Sequence, residues 1–242
     1  MRPVTVATYF YDGEEFLFNE QLKAWAAWPK HVKDYIECIG IHTGVKPISK
    51  STFPNGGDVD FRLVQIEDCK IWNQSGGRNL AFHLASFDWV AIMDADYIVP
   101  VASAQALLDL PIPDPKSYYI YKRNIIAKST DLIHYKMLEQ PKPLSNSTKG
   151  NIFIMSKKIF WEMGGNDEDF AGKRGFEDLL FLRQLQARGY SQILAKGVLI
   201  SHYMKAVKND GNRKARNVRL FHSKNSPLVA PTNPLRFTWK EL

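Results

Sequence analysis

The chain has 242 residues, 45% of them hydrophobic and 24% charged, which marks a globular protein able to bury a full core in one domain. No apolar run is long enough to span a bilayer. Met1-Arg2-Pro3 passes straight into a strand-like segment without the apolar stretch of a signal peptide, so the expected location is the cytoplasm. The net charge of +7 admits nucleic acid, an anionic surface or a phosphate-bearing small molecule as partner, without choosing among them.

Residues 4–8 read as a first strand, and Asp12-Gly13-Glu14-Glu15 has the spacing of a helix N-cap followed by an acid three residues on. Phe18, Leu22, Trp25 and Ala26 then recur at helical spacing until Pro29. Residues 35–42 read as a second strand, 43–58 as loop from their glycines and prolines, and 61–66 as a third strand. Cys38 and Cys69 lie in neither a metal-ligand nor a redox spacing, and both read as free, reduced and structural.

From Asn73 the sequence Asn-Gln-Ser-Gly-Gly-Arg-Asn-Leu-Ala is a loop entering a helix, with Leu80, Leu84 and Phe87 on one face. Residues 89–100 follow, an apolar run bounded by Asp88 and Pro100 that ends in Asp94-Ala95-Asp96. A run this short suits a buried parallel strand better than a helix. The alternation of strands and helices predicts an α/β fold: a single Rossmann-like domain with a mixed, mainly parallel central sheet flanked by helices.

Residues 102–110 read as a helix ended by Pro111 and Pro113, and 118–126 as an aromatic-rich strand. Residues 131–149 read as irregular and 150–155 as a strand. Ser156 can cap a short helix that stops at Gly164-Gly165. Leu179, Leu182 and Leu185 carry a helix to Arg188-Gly189, and 193–201 supply a last strand before His202. Beyond it lie Lys205, Lys208, Arg213, Lys214, Arg216, Arg219 and Lys224, with few aromatic residues among them. A solvated face accounts for most of these, and no reading helix or stacking pattern points to nucleic acid.

Two pairs of acids carry the chemistry. Asp94 and Asp96 fall at the carboxyl end of a strand, where open α/β sheets bind ligands, and offer hard oxygens to a divalent cation. A polar strand end or a helix cap would use the same residues. Glu177 and Asp178 start a helix, where its dipole and free N–H groups favour carboxylates on structural grounds alone.

Residues 73–100 resemble the nucleotide-binding half of GT-A glycosyltransferases, especially the family 2 group, through the Gly-Gly-Arg-Asn helix start, the apolar strand and the Asp-X-Asp triplet. Gly164-Gly165-Asn166-Asp167-Glu168, then Gly175-Phe176-Glu177-Asp178 and Leu182-Arg183, resemble the acceptor half, including the galactosyltransferase-like segment. The two resemblances occur in the expected order and cover roughly the first 200 residues. They imply a metal-dependent, inverting glycosyltransferase that uses a nucleoside-diphosphate sugar and a glycan or other hydroxyl acceptor.

By the same resemblance Asp94, Asp96 and His202 hold Mn²⁺ or Mg²⁺, Asp96 being the better candidate for direct coordination. Asp178 is the catalytic base beside Glu177, and Thr8, Tyr9, Arg78 and Asn79 contact the nucleotide. Arg78 equally suits a local cap or ion pair, and Tyr9 packing. His202 equally suits a core or surface role, whereas His31, His42, His83, His134 and His222 have no comparable context. Leu180 replaces an acid frequent in relatives, and Phe176 stands where a second glycine is common.

The implied organisation is a catalytic domain over 1–203, with a nucleotide-sugar half over 1–100 and an acceptor half over 101–203. A basic extension over 204–242 resembles segments that fold over the donor, bringing Lys205, Arg213 or Arg216 to the pyrophosphate. Competing readings are a sugar-1-phosphate nucleotidyltransferase and a non-catalytic nucleotide-sugar or glycan-binding domain. Tyr9-Phe10-Tyr11-Asp12-Gly13 lacks the basic glycine-rich loop of the former, and the intact acids argue against the latter. Oligomeric state is open, and membrane contact would be peripheral, through basic residues.

Overall fold

The computed structural model describes residues 1–54, 59–67, 70, 72–129, 151–205, 211–224 and 234–242, with side chains described outside 122–129, 202–205 and 211–215. The expected irregular stretch at 131–149 lies outside the described residues, as do Cys69 and Lys208. The first half runs β1 (Val4–Phe10), α1 (Glu15–Ala26), α2 (Lys30–Lys33), β2 (Ile36–His42), β3 (Arg62–Ile66), α3 (Gln74–Leu84), β4 (Trp89–Asp94) and β5 (Tyr97–Ile98). The second runs α4 (Val101–Leu108), β6 (Ser117–Ser129), β7 (Phe153–Ser156), α5 (Lys157–Glu162), α6 (Glu177–Ala187), β8 (Ser191–Lys205), α7 (Gly211–Ser223) and β9 (Trp239–Glu241).

The nine strands among the described residues form one sheet in the order β5-β8-β6-β7-β4-β1-β2-β3-β9. The sheet is mixed and flanked by helices, as expected, but it is not mainly parallel: of the pairings among the described strands, four are parallel and four antiparallel, because β7, β5 and β9 enter against their neighbours. Parallel pairing joins β4, β1, β2 and β3, while β7 runs antiparallel to both β4 and β6. A further parallel pair joins β6 and β8, and β5 and β9 close the two edges antiparallel.

β1 is buried along its whole length because helices cover both faces of the sheet. Val4, Val6 and Phe10 pack with Leu17, Phe18, Leu22 and Trp25 of α1 and with Leu107 of α4. Ala7 and Tyr9 point the other way, into a second core with Leu80 of α3, Phe160 of α5 and Phe181 of α6. The period-two alternation of one strand thus divides the apolar interior into two layers. Each large side chain taken fully out of water contributes roughly 1.5–3 kcal/mol, so α1 is held by packing more than by its caps.

Several boundaries differ from the sequence reading, each for a local reason. Asp12 does not cap α1; its carboxylate accepts hydrogen bonds from the backbone N–H groups of Val45 and Lys46 at 3.0 and 3.1 Å. The apolar run of residues 89–100 is two strands, since the chain turns at Ala95-Asp96 and Tyr97-Ile98 pair with β8. Two elements follow β8 that periodicity did not announce: α7, and β9, which pairs with β3 at the far edge. Ser156 does cap α5, accepting from Ile159, and Asn73, read only as loop, caps α3 by accepting from Gly76.

Candidate active site at the carboxyl ends of the strands

From the adjoining β1, the chain proceeds to β2 on one side while β4 lies on the other, so the connections diverge at this point of the sheet. Such a divergence opens a crevice at the carboxyl ends of the strands. Tyr9 of β1 is in register with Asp94 of β4, which places the first acid at that crevice. Asp94 and Asp96 are both partly exposed, whereas Ala95 between them is buried, as a tight turn at the end of an interior strand requires.

Arg78 is the centre of the arrangement. It lies in the second turn of α3, beyond the helix's first residues, and is fully buried. Its Nη2 donates to Tyr9 Oη at 2.7 Å and lies 3.8 Å from Asp94 Oδ1. Its Nη1 lies 3.7 Å from Glu177 Oε1 and donates to Asn166 Oδ1 at 3.4 Å. One planar cation therefore spans groups from β1, β4, the loop before α6 and α6 itself. That is a use for which a guanidinium fork is suited and an ammonium is not.

The acids around it are unequal. Burial pushes Glu177 up to about 7, with Arg78 opposing the shift and Asp178 adding to it. Burial also holds the Asp94 carboxyl well above its ordinary value, reinforced by the neighbouring Asp96 and opposed by a hydrogen bond from Asn151 Nδ2. Asp178, next in sequence to Glu177, is instead partly exposed, and its Oδ1 accepts from the N–H of Leu179 at 2.9 Å. Of the two expected acids on α6, one is an internal ion partner and the other is partly exposed.

Asn79 faces the interior as well. Its Nδ2 donates to the carbonyl of Asn166 at 2.9 Å and to Glu168 Oε1 at 2.7 Å, and its Oδ1 accepts from the N–H of Asn166 at 2.8 Å. Gly165 makes this approach possible: its φ is +74°, and a Cβ there would come within 2.7 Å of Asn79 Oδ1. Thr8 is fully buried and Tyr9 nearly so, the latter engaged by Arg78. The structure therefore brings Tyr9, Arg78 and Glu177 into one buried group that reaches the partly exposed Asp94, with Asp96 and Asp178 also partly exposed.

His202 enters through strand register. In the antiparallel pair of β5 and β8 it stands opposite Tyr97, the residue after Asp96. Backbone pairing thus carries a residue more than a hundred positions away to the neighbourhood of the acidic turn; the His202 side chain lies outside the described residues. Of the three basic residues expected to reach a donor, Arg216 donates to the carbonyls of Ala171 and Asp169 at 3.2 and 2.9 Å. The side chains of Lys205 and Arg213 lie outside the described residues.

Several contributors were not singled out from the sequence. Asn151 binds Asp94, and Asn166 joins Arg78 to Asn79. Trp72, at a positive φ of 63°, lies between the Tyr11 ring, 4.8 Å away, and the guanidinium of Arg174, 5.4 Å from its ring centre. Asn166 was legible only as part of the glycine-rich motif, and Trp72 carried no periodic signal.

The donor set fits a divalent cation. Buried Asp94 Oδ1 makes no hydrogen bond among the described residues, and the neighbouring Asp96 raises the cost of ionising Asp94, which a dication would relieve. Among the described residues, no helix is long and apolar enough to cross a membrane.

No protein-family model matches the sequence, and comparison with curated proteins finds no match. Solved structures do match in fold. The structure of GalNAc-T7 with UDP, GalNAc and Mn²⁺ superposes with a TM-score of 0.62 at 14% identity, over 86% of this chain and 45% of that one. Residues 1–349 of TarS from S. aureus give 0.58 at 13% identity, over 83% and 60%. The mannosyltransferase PcManGT from Pyrobaculum calidifontis, in complex with GDP-Man and Mn²⁺, gives 0.56 at 18% identity, over 91% and 61%. The chain has the GT-A fold of these glycosyltransferases and spans less than two thirds of each one's length.

Proposed function

We propose that the protein is a metal-dependent, inverting glycosyltransferase that moves a sugar from a nucleoside-diphosphate sugar to a glycan or other hydroxyl acceptor. One observation carries the reading: Asp94 and Glu177, from opposite halves of the chain, meet on the single buried cation of Arg78, leaving Asp96 and Asp178 beside them at the open side. The fold neighbours support it, since two were solved with a nucleotide or nucleotide sugar and Mn²⁺.

In this reading Asp94, Asp96 and His202 hold Mn²⁺ or Mg²⁺. The metal, when bound, neutralises charge on the diphosphate leaving group. Arg78 keeps Asp94 and the buried Glu177 compensated, so the crevice acids keep their places when substrate displaces water. Asp178 accepts the proton of the acceptor hydroxyl as that oxygen bonds to the anomeric carbon and the carbon–oxygen bond to the diphosphate breaks on the opposite face. Glu177 acts through Arg78 and through its neighbour Asp178, as a positioning residue. Thr8, Tyr9 and Asn79 shape the nucleotide pocket from beneath rather than by exposed contact.

We assign residues 1–100 to donor binding, 101–203 to the acceptor side and 204–242 to an extension that braces both. In support of the last part, β9 extends the donor half of the sheet beyond β3, and Arg216 binds the loop before α6.

The test is nucleoside-diphosphate release from a panel of nucleotide sugars with Mn²⁺ and candidate acceptors. Release is expected in the native protein and absent from Asp96→Ala and Asp178→Asn. Tight nucleotide-sugar binding without transfer to any acceptor would make the protein a binding module, and pyrophosphate exchange would make it a nucleotidyltransferase. An α-linked product from an α-linked donor would remove Asp178 from the role of base in an inverting reaction.

A further inference from the structure

His42 ends β2 on the face of the sheet opposite Arg78, with its ring centre 5.1 Å from that of Phe10. Phe10 belongs to the α1-side core and Tyr9, which binds Arg78, to the other. The His42 side chain is completely buried, and neither ring nitrogen makes a hydrogen bond among the described residues. Its Nε2 stands 3.2 Å from Asp12 Oδ1, within ion-pair distance. Glu15, the first residue of α1, completes a group in which one ligand atom from each side chain lies within 4.8 Å of the others.

The surroundings hold this group in place. Asp12 is fixed by the N–H groups of Val45 and Lys46, so its carboxylate faces the histidine without freedom to turn away. Gly44 has no positive φ to explain it, yet a Cβ there would fall 2.2 Å from Asp12 Oδ1 and 2.5 Å from His42 Nε2. The glycine keeps open the space between two donor atoms. Bonds of about 2.0–2.2 Å from one metal to a nitrogen and an oxygen at tetrahedral angles separate those atoms by about 3.3–3.6 Å, close to the spacing found.

We propose that His42 Nε2, Asp12 and Glu15 form a second divalent-cation site, separate from the Asp94–Asp96 centre and suited to Zn²⁺. An imidazole with two carboxylates matches zinc, whereas magnesium and calcium favour oxygen donors alone. The Asp12 side chain is 25% exposed, which leaves the group open to a water as fourth ligand. A cation here would join the turn after β1, the start of α1 and the end of β2, bracing the rim of the crevice from the α1 side.

The test uses the full chain carrying Asp94→Asn and Asp96→Asn, freed of metal with chelator and titrated with Zn²⁺ by calorimetry alongside thermal melting. One equivalent is expected to bind and to raise Tm. Adding His42→Gln or Glu15→Gln should weaken binding by more than about tenfold and remove the rise in Tm. Gly44→Ala, which retains every ligand but fills the space between them, should do the same. Glu15→Gln, at a partly exposed position, decides the matter where His42→Gln does not fold. Failure of the doubly substituted chain to bind zinc, or unchanged binding after Glu15→Gln, overturns the proposal. Neither outcome bears on Mn²⁺-dependent transfer by the native chain, so the two assignments fail independently.

Discussion

Arg78 holds Nη1 3.7 Å from Glu177 Oε1, joining the second turn of α3 to the first residue of α6, ninety-nine positions along the chain. Its other terminal nitrogen faces Asp94. A buried cation between the buried Glu177 and the partly exposed Asp94 makes the crevice geometry and the stability of the fold depend on one side chain.

Arg78→Met leaves both acids without their cation. Removing one partner from a buried ion group costs about 3–5 kcal/mol, because the remaining charge stays desolvated. Urea unfolding should show a loss of that order. Tyr9→Phe, which removes one hydrogen bond to the guanidinium, should lose about 1.5–3 kcal/mol. A loss below 1 kcal/mol for Arg78→Met would mean that the acids do not depend on it.

Glu177 gives the metal-free protein a pH signature. Its folded value of about 7 lies above the ordinary 4.5, so between those values the folded state binds more protons than the unfolded one. Stability therefore falls as pH rises through that window. Asp94, also raised, adds to the slope in the same sense. Melting temperatures from pH 4.5 to 7.5 should decline more steeply in the native chain than in Glu177→Gln, and parallel slopes would contradict the assignment.

On the proposed assignment, Asp178 and His202 separate proton transfer from metal binding. Asp178→Asn should reduce kcat by roughly 10²–10⁴ while nucleotide-sugar affinity measured by calorimetry stays near the native value. His202→Ala should raise the Mn²⁺ concentration needed for half-maximal activity, with kcat at saturating metal far less affected. If His202→Ala left the metal dependence unchanged, its register beside Asp96 would be structural.

Glu168 tests the bracing of the carboxy-terminal segment. Its Oε1 accepts from Asn79 Nδ2 at 2.7 Å and from the N–H of Leu235 at 2.6 Å, while Oε2 accepts from the N–H of Arg236 at 2.9 Å. Lys224 pairs with the flanking Asp167 and Asp169, and Arg236 with Asp169. Glu168→Ala should destabilise the protein by on the order of 3 kcal/mol and expose the amides of Leu235 and Arg236 to hydrogen exchange.

The sequence by itself determined the alternation of strands and helices, the strand that ends at the acidic turn, the cap at Ser156, and the four acids worth naming. Those features are local: periodicity, caps and turn residues act within a few positions. It left Asp12 a helix cap, Arg78 and Asn79 a nucleotide contact, and His42 without context. Tertiary structure decided otherwise for Asp12, whose carboxylate serves the loop beyond β2, and showed Arg78 and Asn79 engaged by the loop before α6. It also showed Glu177 buried and Asp178 reachable, a difference invisible in two adjacent acids. Pairing β8 with β5 brought His202 to the residue after Asp96. Burial and strand register depend on elements far apart in sequence, so they exist only once the sheet has closed between its helices.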